Sequence, residues 1–259
     1  MNEAYDPVPA AHSLAAAWRS GAQLTELPGE IRPRTLAEGY AVQRRLIEEL
    51  QEEPVGWKLG IASRNSMRKA GIERAVAGRV LASRYFRSGE VASVPRNVAV
   101  TVEFEVAFVL SRDIEPHAVP MPLMEAVIAT RVTFELLRSR FIDHRAAGLP
   151  SFAADNGAFH ALVVGPAIDS TQIGDVVRSV VVSVDGEEKS RAQSGDDLID
   201  PFQSLAGLIA HAREYGITLR RGDIVSTGSL SRPFDVAPGD AAIVARFLGS
   251  ELRVTTEVI

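Results

Sequence analysis

The sequence predicts an α+β fold, in which a helix-rich portion precedes a body made mainly of β-strands. Two helical patterns come first, an alanine-rich stretch at 12–22 and apolar residues near helical spacing at 35–50. Beyond Gly78 the apolar runs are short and are bounded by turn signals such as Asp185-Gly186. Because helices gather before the strands, α+β is favoured over regular βαβ alternation.

This order also predicts how the chain is organised. We expect a helix-rich N-terminal portion at 1–90, packed on a β-rich catalytic body at 91–259. Ser63 is a candidate N-cap for a short helix ending at Ala70. Strands are predicted at 55–61, 98–110, 161–164, 179–184 and 241–248, and further helices at 120–140 and 202–215.

Composition excludes several classes of protein. Hydrophobic residues make up 46% and charged residues 24% of 259 residues, the balance of an ordinary globular protein. The chain has no cysteine, which excludes disulfides, thiolate metal sites and cysteine nucleophiles. A net charge of −5 with scattered basic pairs argues against a nucleic-acid partner. We read no secretory signal and no membrane-spanning run, so a cytoplasmic protein is expected.

Two glutamates form the first candidate site. Glu103 and Glu105 lie two residues apart in a predicted strand, so both carboxylates point to one face. Five apolar residues follow, and they indicate that both faces of the strand become buried. Two buried carboxylates repel each other unless a cation binds them. The alternative is an edge strand whose glutamates face water.

A third carboxylate, Glu135, lies among apolar residues of the helix predicted at 120–140. Three carboxylates without cysteine or histidine are hard oxygen ligands, which suit Mg²⁺ or Mn²⁺ with positions left open for substrate. The alternative is a half-exposed helical glutamate paired with Arg131 or Arg138.

Lys58 lies between Trp57 and Leu59, in a run with a glycine on either side. Glycine lets other atoms approach the backbone closely, and a lysine held in apolar surroundings is a candidate for proton transfer. The alternative is a surface lysine that follows a turn.

Taken together in one order, these segments resemble a known group of enzymes. It is the 2-oxopent-4-enoate hydratase and 4-oxalocrotonate decarboxylase group within the fumarylacetoacetase-like superfamily. The resemblance covers most of the chain and rests on Gly56-Trp57-Lys58-Leu59-Gly60, Val102 to Val109, Phe134-Glu135 with Ser139-Arg140, Ala154-Asp155-Asn156, and Thr227-Gly228-Ser229 with Arg232-Pro233.

The resemblance implies a fold, a set of roles and a chemistry. The fold is a mixed β-sandwich or roll with a helical N-terminal portion. Glu103, Glu105 and Glu135 would hold Mg²⁺ or Mn²⁺, and Lys58 would meet a bound 2-oxo acid. We expect the acid to chelate the ion, which stabilises an enolate as a Lewis acid. A homo-oligomer, associated in some cases with a pathway partner enzyme, is implied too. Substrate contacts are expected from Arg140, Asp155, Ser229 and Arg232.

Two departures from the group's pattern leave the reaction open. Val76 stands where the hydratases have an aspartate proposed to move a proton, and Asp200-Pro201 stands where His-Pro is common. The resemblance implies a lyase that hydrates a 2-hydroxypentadienoate-type acid. A 4-oxalocrotonate-type decarboxylase is the alternative, because decarboxylases of the group tend to be apolar at the position of Val76. A non-catalytic small-acid-binding or partner subunit is a second alternative.

Overall fold

The structure is a computed structural model that describes residues 4–258, and within this range it confirms the α+β class. Its α-helices are α1 Val8–Ser20, α2 Leu36–Leu50, α3 Arg64–Ala70, α4 His144–Ala147, α5 Leu149–Ala154, α6 Ile173–Ser179 and α7 Pro201–Glu214. Its strands are β1 Pro54–Gly60, β2 Val76–Leu81, β3 Tyr85–Arg87, β4 Val91–Val94, β5 Val100–Leu110, β6 Val127–Leu137, β7 Phe159–Ile168, β8 Val181–Val184, β9 Glu187–Arg191, β10 Ile224–Ser229, β11 Phe234–Val236, β12 Ala241–Phe247 and β13 Ser250–Val258.

The strands form two sheets that enclose the main hydrophobic core. The larger sheet has the order β2-β1-β10-β5-β6-β7-β3, with β11 also pairing with β5, and the smaller sheet has the order β4-β13-β12-β8-β9. Phe104 of β5 packs against Phe134 of β6 and Phe247 of β12, with ring centroids 6.0 and 5.7 Å away. Since successive side chains on a strand alternate, the residues on either side of Phe104 point away from this core.

The N-terminal helices cover part of the larger sheet. Thr35 caps α2 in a reciprocal capping box with Glu38, which explains where the helix begins. Gln43, which interrupts the apolar stripe of α2, is buried and donates hydrogen bonds to the carbonyl oxygens of Ala77 and Ala153. Strands β1, β2 and β3 precede residue 90, yet they are part of the larger sheet. The division of the chain at residue 90 therefore stays a prediction.

One element predicted from the sequence is wrong. Residues 120–140 do not form a helix, because a short 3₁₀ turn at Leu123–Ala126 leads into strand β6. Pro120 and Pro122 disfavour a helix at the start of this segment. The strand is rich in β-branched residues, which favour extended structure, namely Val127, Ile128, Thr130, Val132 and Thr133.

The other predicted elements are present with shifted ends. Ser63 caps α3 by accepting a hydrogen bond from the backbone of Ser66, as expected. The predicted helix at 12–22 begins earlier and ends at Ser20, and the strand predicted at 179–184 begins at Val181 because α6 occupies the preceding residues. No helix between residues 4 and 258 is long and apolar enough to cross a membrane.

A glycine on β1 sets how closely this strand approaches β10. A Cβ atom at Gly56 would overlap the backbone carbonyl oxygen of Ile224. We expect Gly56→Ala to lower the free energy of unfolding by about 1–3 kcal/mol or more, because the two strands must move apart. Urea unfolding would measure this loss. Gly29→Ala is the control, since a Cβ there meets nothing within 4 Å. Equal stability of the two variants would contradict the prediction.

Candidate metal centre

Three glutamates meet on the face of the larger sheet that points away from the main core. Glu103 and Glu105 lie on β5, and Glu135 lies on β6 directly opposite Glu103 in the antiparallel register. One carboxylate oxygen from each lies within 4.8 Å of the others. The expectation that Glu103 and Glu105 share a face is confirmed. Glu135 joins them through a strand pairing, not from the helix that the sequence predicted.

Strand β10 fixes the position of Glu105. Its Oε2 accepts hydrogen bonds from the Ser226 hydroxyl at 2.6 Å and from the Gly228 backbone N–H at 2.9 Å. The Ser226 hydroxyl also lies 2.8 Å from the Thr133 hydroxyl, which links β10 to β6. One oxygen of Glu105 is therefore held by the protein, while the other is left for a different partner.

The remaining oxygens indicate that a cation fits this cluster. Glu105 Oε1 and Glu135 Oε2 are buried without a hydrogen-bond partner, and Glu135 Oε1 lies 3.0 Å from the Lys58 ammonium. Buried polar atoms are rarely unpaired, and an unpaired buried carboxylate is especially costly. Oxygen ligands of this kind suit a hard divalent cation. Glu103, Glu105 and Glu135 are the residues that would hold it.

Burial controls the protonation of the metal-free cluster. Desolvation raises the pKa of Glu103, and it raises the pKa of Glu105 well above the ordinary value, with repulsion from Glu135 and Glu103 adding to the effect. Burial also raises the pKa of Glu135 to about 7, although Lys58 opposes the shift. Without a cation, the cluster therefore tends to hold protons near neutral pH.

Lys58 is fully buried and reaches the cluster from β1, so it is not the surface lysine of the alternative interpretation. Its Nζ lies 3.0 Å from Glu135 Oε1 and donates a hydrogen bond to the Gly157 carbonyl oxygen at 2.8 Å. Arg131 and Arg138, the partners that the alternative gave to Glu135, instead donate to the carbonyl oxygens of Gly165 and Gly21.

Three glycines surround the side chain of Lys58. A Cβ at Gly78 would lie 2.8 Å from Lys58 Cδ, and Cβ atoms at Gly60 and Gly157 would each lie 3.4 Å from Nζ. The sequence indicated close approach at the flanking glycines, but Gly78 and Gly157 come from other parts of the chain. Their lack of side chains leaves a narrow passage for the lysine.

The segment that supports Lys58 has an unusual backbone. Asn156, Gly157 and Ala158 all have positive φ angles, of 54°, 59° and 61°. The Asn156 side chain holds the segment by exchanging two hydrogen bonds with the backbone of Arg79, at 2.6 and 2.9 Å. Strain of this kind persists only where the surroundings enforce it. It places the Gly157 carbonyl oxygen against Lys58.

Arg140 and Asp155 form a buried ion pair with each other. Asp155 also accepts hydrogen bonds from the Ser139 hydroxyl at 2.8 Å and the Arg140 backbone N–H at 3.0 Å. These contacts anchor Asp155, which directly precedes the segment at 156–158 that contacts Lys58. Neither residue lines the cavity beside Glu103. Their role as substrate contacts therefore stays a prediction.

Of the other two predicted substrate contacts, the structure places one in the cavity lining and the other outside it. Ser229 lines the cavity beside Glu103, although its hydroxyl donates to the carbonyl oxygen of Ser231. Arg232 is exposed and is absent from the cavity lining, whereas the adjacent Pro233 belongs to it. Asp200 caps α7 by accepting hydrogen bonds from the backbone of Phe202 and Gln203. The unusual Asp200-Pro201 pair therefore has a local structural role.

A cavity of about 740 Å³ opens beside Glu103. The sequence did not indicate several of its polar lining residues, because they lie on separate elements that only the tertiary fold brings together. They are Asn65, Ser66 and Lys69 of α3, His144 and Arg145 of α4, and Gln193. Apolar residues, including Ile61, Leu149 and Phe152, form another part of the wall.

Fold and site together define a class of protein, an α+β chain that buries a carboxylate cluster and a lysine beside a substrate-sized cavity. The profile of the fumarylacetoacetate hydrolase C-terminal family matches residues 79–253. The chain belongs to this family, as its sequence motifs indicated.

Relatives narrow the comparison to lyases. A 4-oxalocrotonate decarboxylase from Pseudomonas sp. is 28% identical over 236 residues, covering 88% of this chain and 90% of the relative. A 2-keto-4-pentenoate hydratase from Burkholderia vietnamiensis is 29% identical, covering 84% and 85%. The 4-oxalocrotonate decarboxylase of Pseudomonas putida G7, solved with magnesium and adipate, has a TM-score of 0.82, with 23% identity and coverage of 98% and 97%. The last comparison shows that the fold is shared.

The raised pKa values predict a pH-dependent response to metal. Between the ordinary glutamate pKa of about 4.5 and the folded value near 7, the metal-free protein holds protons that the unfolded chain has lost. Its stability therefore falls as pH rises through this window, and a cation that replaces the protons stabilises most above it. We expect Mg²⁺ to raise Tm more at pH 8 than at pH 6, as measured by differential scanning fluorimetry.

A matched pair of variants checks the origin of this response. Glu105→Gln should abolish the Mg²⁺ effect and raise the Tm of the metal-free protein at pH 8, because it removes a buried charge. Glu257→Gln, at an exposed position on β13, should leave both quantities unchanged. A Mg²⁺ effect that is equal at both pH values, or that persists in Glu105→Gln, would contradict the assignment.

Proposed function

We propose that this protein is a divalent-metal-dependent lyase that acts on a small unsaturated 2-oxo acid. The observation that carries the proposal is the cluster of Glu103, Glu105 and Glu135, whose unpaired buried oxygens lie beside Lys58. Both the hydratases and the decarboxylases among its relatives are lyases. Hydration of a 2-hydroxypentadienoate and decarboxylation of a 4-oxalocrotonate-type acid are the two candidate reactions.

The metal ion and two groups of residues would prepare the site for reaction. A bound Mg²⁺ or Mn²⁺ would supply a Lewis acid for the carboxylate and keto oxygens of the 2-oxo acid. Ser226 and Gly228 orient Glu105, so that its free oxygen is directed by β10. Ile61, Leu149 and Phe152 give part of the wall of the cavity beside Glu103 an apolar surface.

Lys58 is the residue to which we assign proton transfer or stabilisation of the enolate charge. Its Nζ is fixed between Glu135 and the Gly157 carbonyl oxygen, so its proton lies next to the carboxylate cluster. Close confinement by glycines limits the conformations of the side chain, which lowers the cost of positioning it for reaction.

The position of Val76 favours decarboxylation over hydration. Val76 is fully buried among Phe152, Ala153 and Ala158, two residues before Gly78 on the same strand. An apolar residue there cannot deliver a proton to a double bond or activate water. Loss of CO₂ from a vinylogous acid needs no such group, because the departing carboxylate itself supplies the electron pair.

Cationic side chains in the cavity favour a substrate with a second carboxylate. Lys69 and Arg145 line the cavity that also contains Glu103, and both side chains are exposed. Asp197, another acid of the lining, accepts a hydrogen bond from Asn65 at 2.7 Å. A dicarboxylate with one end at the glutamate cluster would meet these cations with its other end. The adipate bound in the decarboxylase of P. putida G7 is such a dicarboxylate.

Turnover of two substrates tests the proposed activity. We expect CO₂ release from 2-oxohex-3-enedioate with Mg²⁺ or Mn²⁺, at a rate well above hydration of 2-hydroxypenta-2,4-dienoate. Lys58→Met should lower kcat by about 10²–10⁴-fold, the range for loss of a general acid or base, while Mg²⁺ still raises Tm. Faster hydration would assign the hydratase reaction instead. Metal binding without turnover of either substrate would indicate the non-catalytic small-acid-binding or partner subunit.

A separate pair of variants tests how the second carboxylate is recognised. We expect Lys69→Gln and Arg145→Gln each to raise KM for the dicarboxylate about tenfold with kcat little changed, because each removes one exposed charge-assisted contact. KM for the monocarboxylate 2-hydroxypenta-2,4-dienoate is the internal control and should stay constant if it is turned over. Arg178→Gln, at an exposed position on α6, is the matched variant outside the cavity. Unchanged KM values for the dicarboxylate would show that its second carboxylate binds elsewhere.

The assembly, the preference between Mg²⁺ and Mn²⁺, and the location in the cell stay predictions. The resemblance implies a homo-oligomer, which sedimentation velocity would detect, and association with a pathway partner enzyme. A cytoplasmic location and a small 2-oxo acid as the substrate, without a nucleic-acid or membrane partner, fit this proposal.

A further inference from the structure

A second cavity, which we call the arginine cavity, lies apart from the one beside Glu103. It has a volume of about 290 Å³ and shares no lining residue with the larger cavity. Its lining contains five arginines and, among the residues that the structure describes, no acidic side chain. The arginines are Arg19, Arg84, Arg96, Arg138 and Arg140. In a chain of net charge −5, such a concentration of positive charge is unexpected.

Two of these arginines already have partners. Arg140 is neutralised by Asp155, donates to the Phe159 carbonyl oxygen at 2.7 Å, and stacks on Trp18 with its Cζ 4.2 Å from the ring centroid. Arg19 forms an ion pair with Glu49 at 3.5 Å. These contacts give the cavity a rigid wall, and they use most of the donors of Arg140.

The other buried cations have unused donors. Arg138 is only 5% exposed, and its Nε is buried without a hydrogen-bond partner. Arg84 is half-buried and forms no ion pair in the part of the chain that the structure describes. The nearby Glu52 accepts a hydrogen bond from Ser83 at 2.9 Å. A buried donor without a partner is costly, so the cavity is incomplete without an acceptor.

His160 also lines the arginine cavity, and its imidazole is neutral. Burial, followed by repulsion from Arg84, lowers the pKa of His160 to about 3, and its Nε2 lies 2.9 Å from the Ser93 carbonyl oxygen. Burial is the first cause that lowers the pKa of Arg84 and the pKa of Arg138. Repulsion from Arg140 adds to both shifts, while attraction to Glu52 opposes the shift at Arg84. The three guanidinium groups therefore repel one another, and an anion between them would relieve this repulsion.

We propose that the arginine cavity binds a small oxyanion, either a carboxylate or a phosphate group, through Arg84 and Arg138. The planar guanidinium presents paired donors that match both kinds of anion. Arg96, which is exposed at the rim, adds attraction for an entering anion. The volume suits a molecule of metabolite size or an inorganic ion. This site is independent of the metal centre and does not rest on the proposed function.

Isothermal titration calorimetry on the full chain tests the site. The protein is freed of divalent ions and dialysed, so that no cation at the glutamate cluster can hold an anion, and it is titrated with phosphate, sulfate and glutarate at low chloride. We expect at least one of these anions to bind with a Kd on the order of a millimolar or tighter. Phosphate and glutarate distinguish a tetrahedral oxyanion from a carboxylate as the preferred group.

Variants locate the binding. Arg84→Gln and Arg138→Lys should each weaken the affinity by about tenfold, as expected for loss of a charge-assisted hydrogen bond. Arg112→Gln removes the same charge at an exposed position outside both cavities and should have no effect. Circular dichroism and Tm confirm that each variant folds, and Arg84→Gln, being half-buried, remains informative if Arg138→Lys does not fold.

Three results would overturn the proposal. One is the absence of binding for all three anions at concentrations up to about 10 mM, which is far above the expected Kd. Another is binding that is equal in Arg84→Gln, Arg112→Gln and the parent protein. The third is a change in oligomer size on Arg84→Gln without a change in anion affinity, which would mean that carboxylates of a second copy occupy the cavity.

Discussion

The burial of three carboxylates on one face of a sheet is the constraint on which the rest of this structure depends. Glu103, Glu105 and Glu135 lie so close together and are so desolvated that they cannot all be ionised unless positive charge or hydrogen bonds stabilise them. The fold supplies part of that compensation through Lys58 and through the hydrogen bonds that β10 gives to Glu105. The oxygens left without a partner, Glu105 Oε1 and Glu135 Oε2, define the chemistry that the site accepts. Because the empty site is unfavourable, binding of a cation raises the stability of the folded protein by a correspondingly larger amount.

Lys58 shows how much of the fold is needed to place one side chain. It has to cross the sheet face to Glu135, so the positions around it are glycines at 60, 78 and 157. The carbonyl oxygen that accepts a hydrogen bond from Lys58 belongs to a segment with three successive positive φ angles. The ion pair between Arg140 and Asp155 anchors the residue that precedes this segment. Arg140 and Asp155 therefore contribute to the position of Lys58 and do not line the cavity beside Glu103.

The sequence predicted the parts of the site that depend on local periodicity. Spacing of two residues on a strand was sufficient to place Glu103 and Glu105 on one face, and the apolar residues after them indicated burial. The same reasoning failed for Glu135, because β6 is buried on both faces over its second half and loses the alternation that distinguishes a strand from a helix. Pairings between distant segments, such as Glu103 with Glu135, leave no local signal at all.

Asp155 contacts a residue of the arginine cavity and also directly precedes the segment that contacts Lys58. Its carboxylate neutralises Arg140 in the wall of the arginine cavity, while its backbone precedes the segment that holds Lys58. The Asp155 carboxylate forms hydrogen bonds with Arg140, whereas it acts on Arg138 only as a nearby charge. Donors of Arg84 and Arg138, including the buried Nε of Arg138, are left without a carboxylate partner among the described residues. The cost of those groups is what an oxyanion would remove.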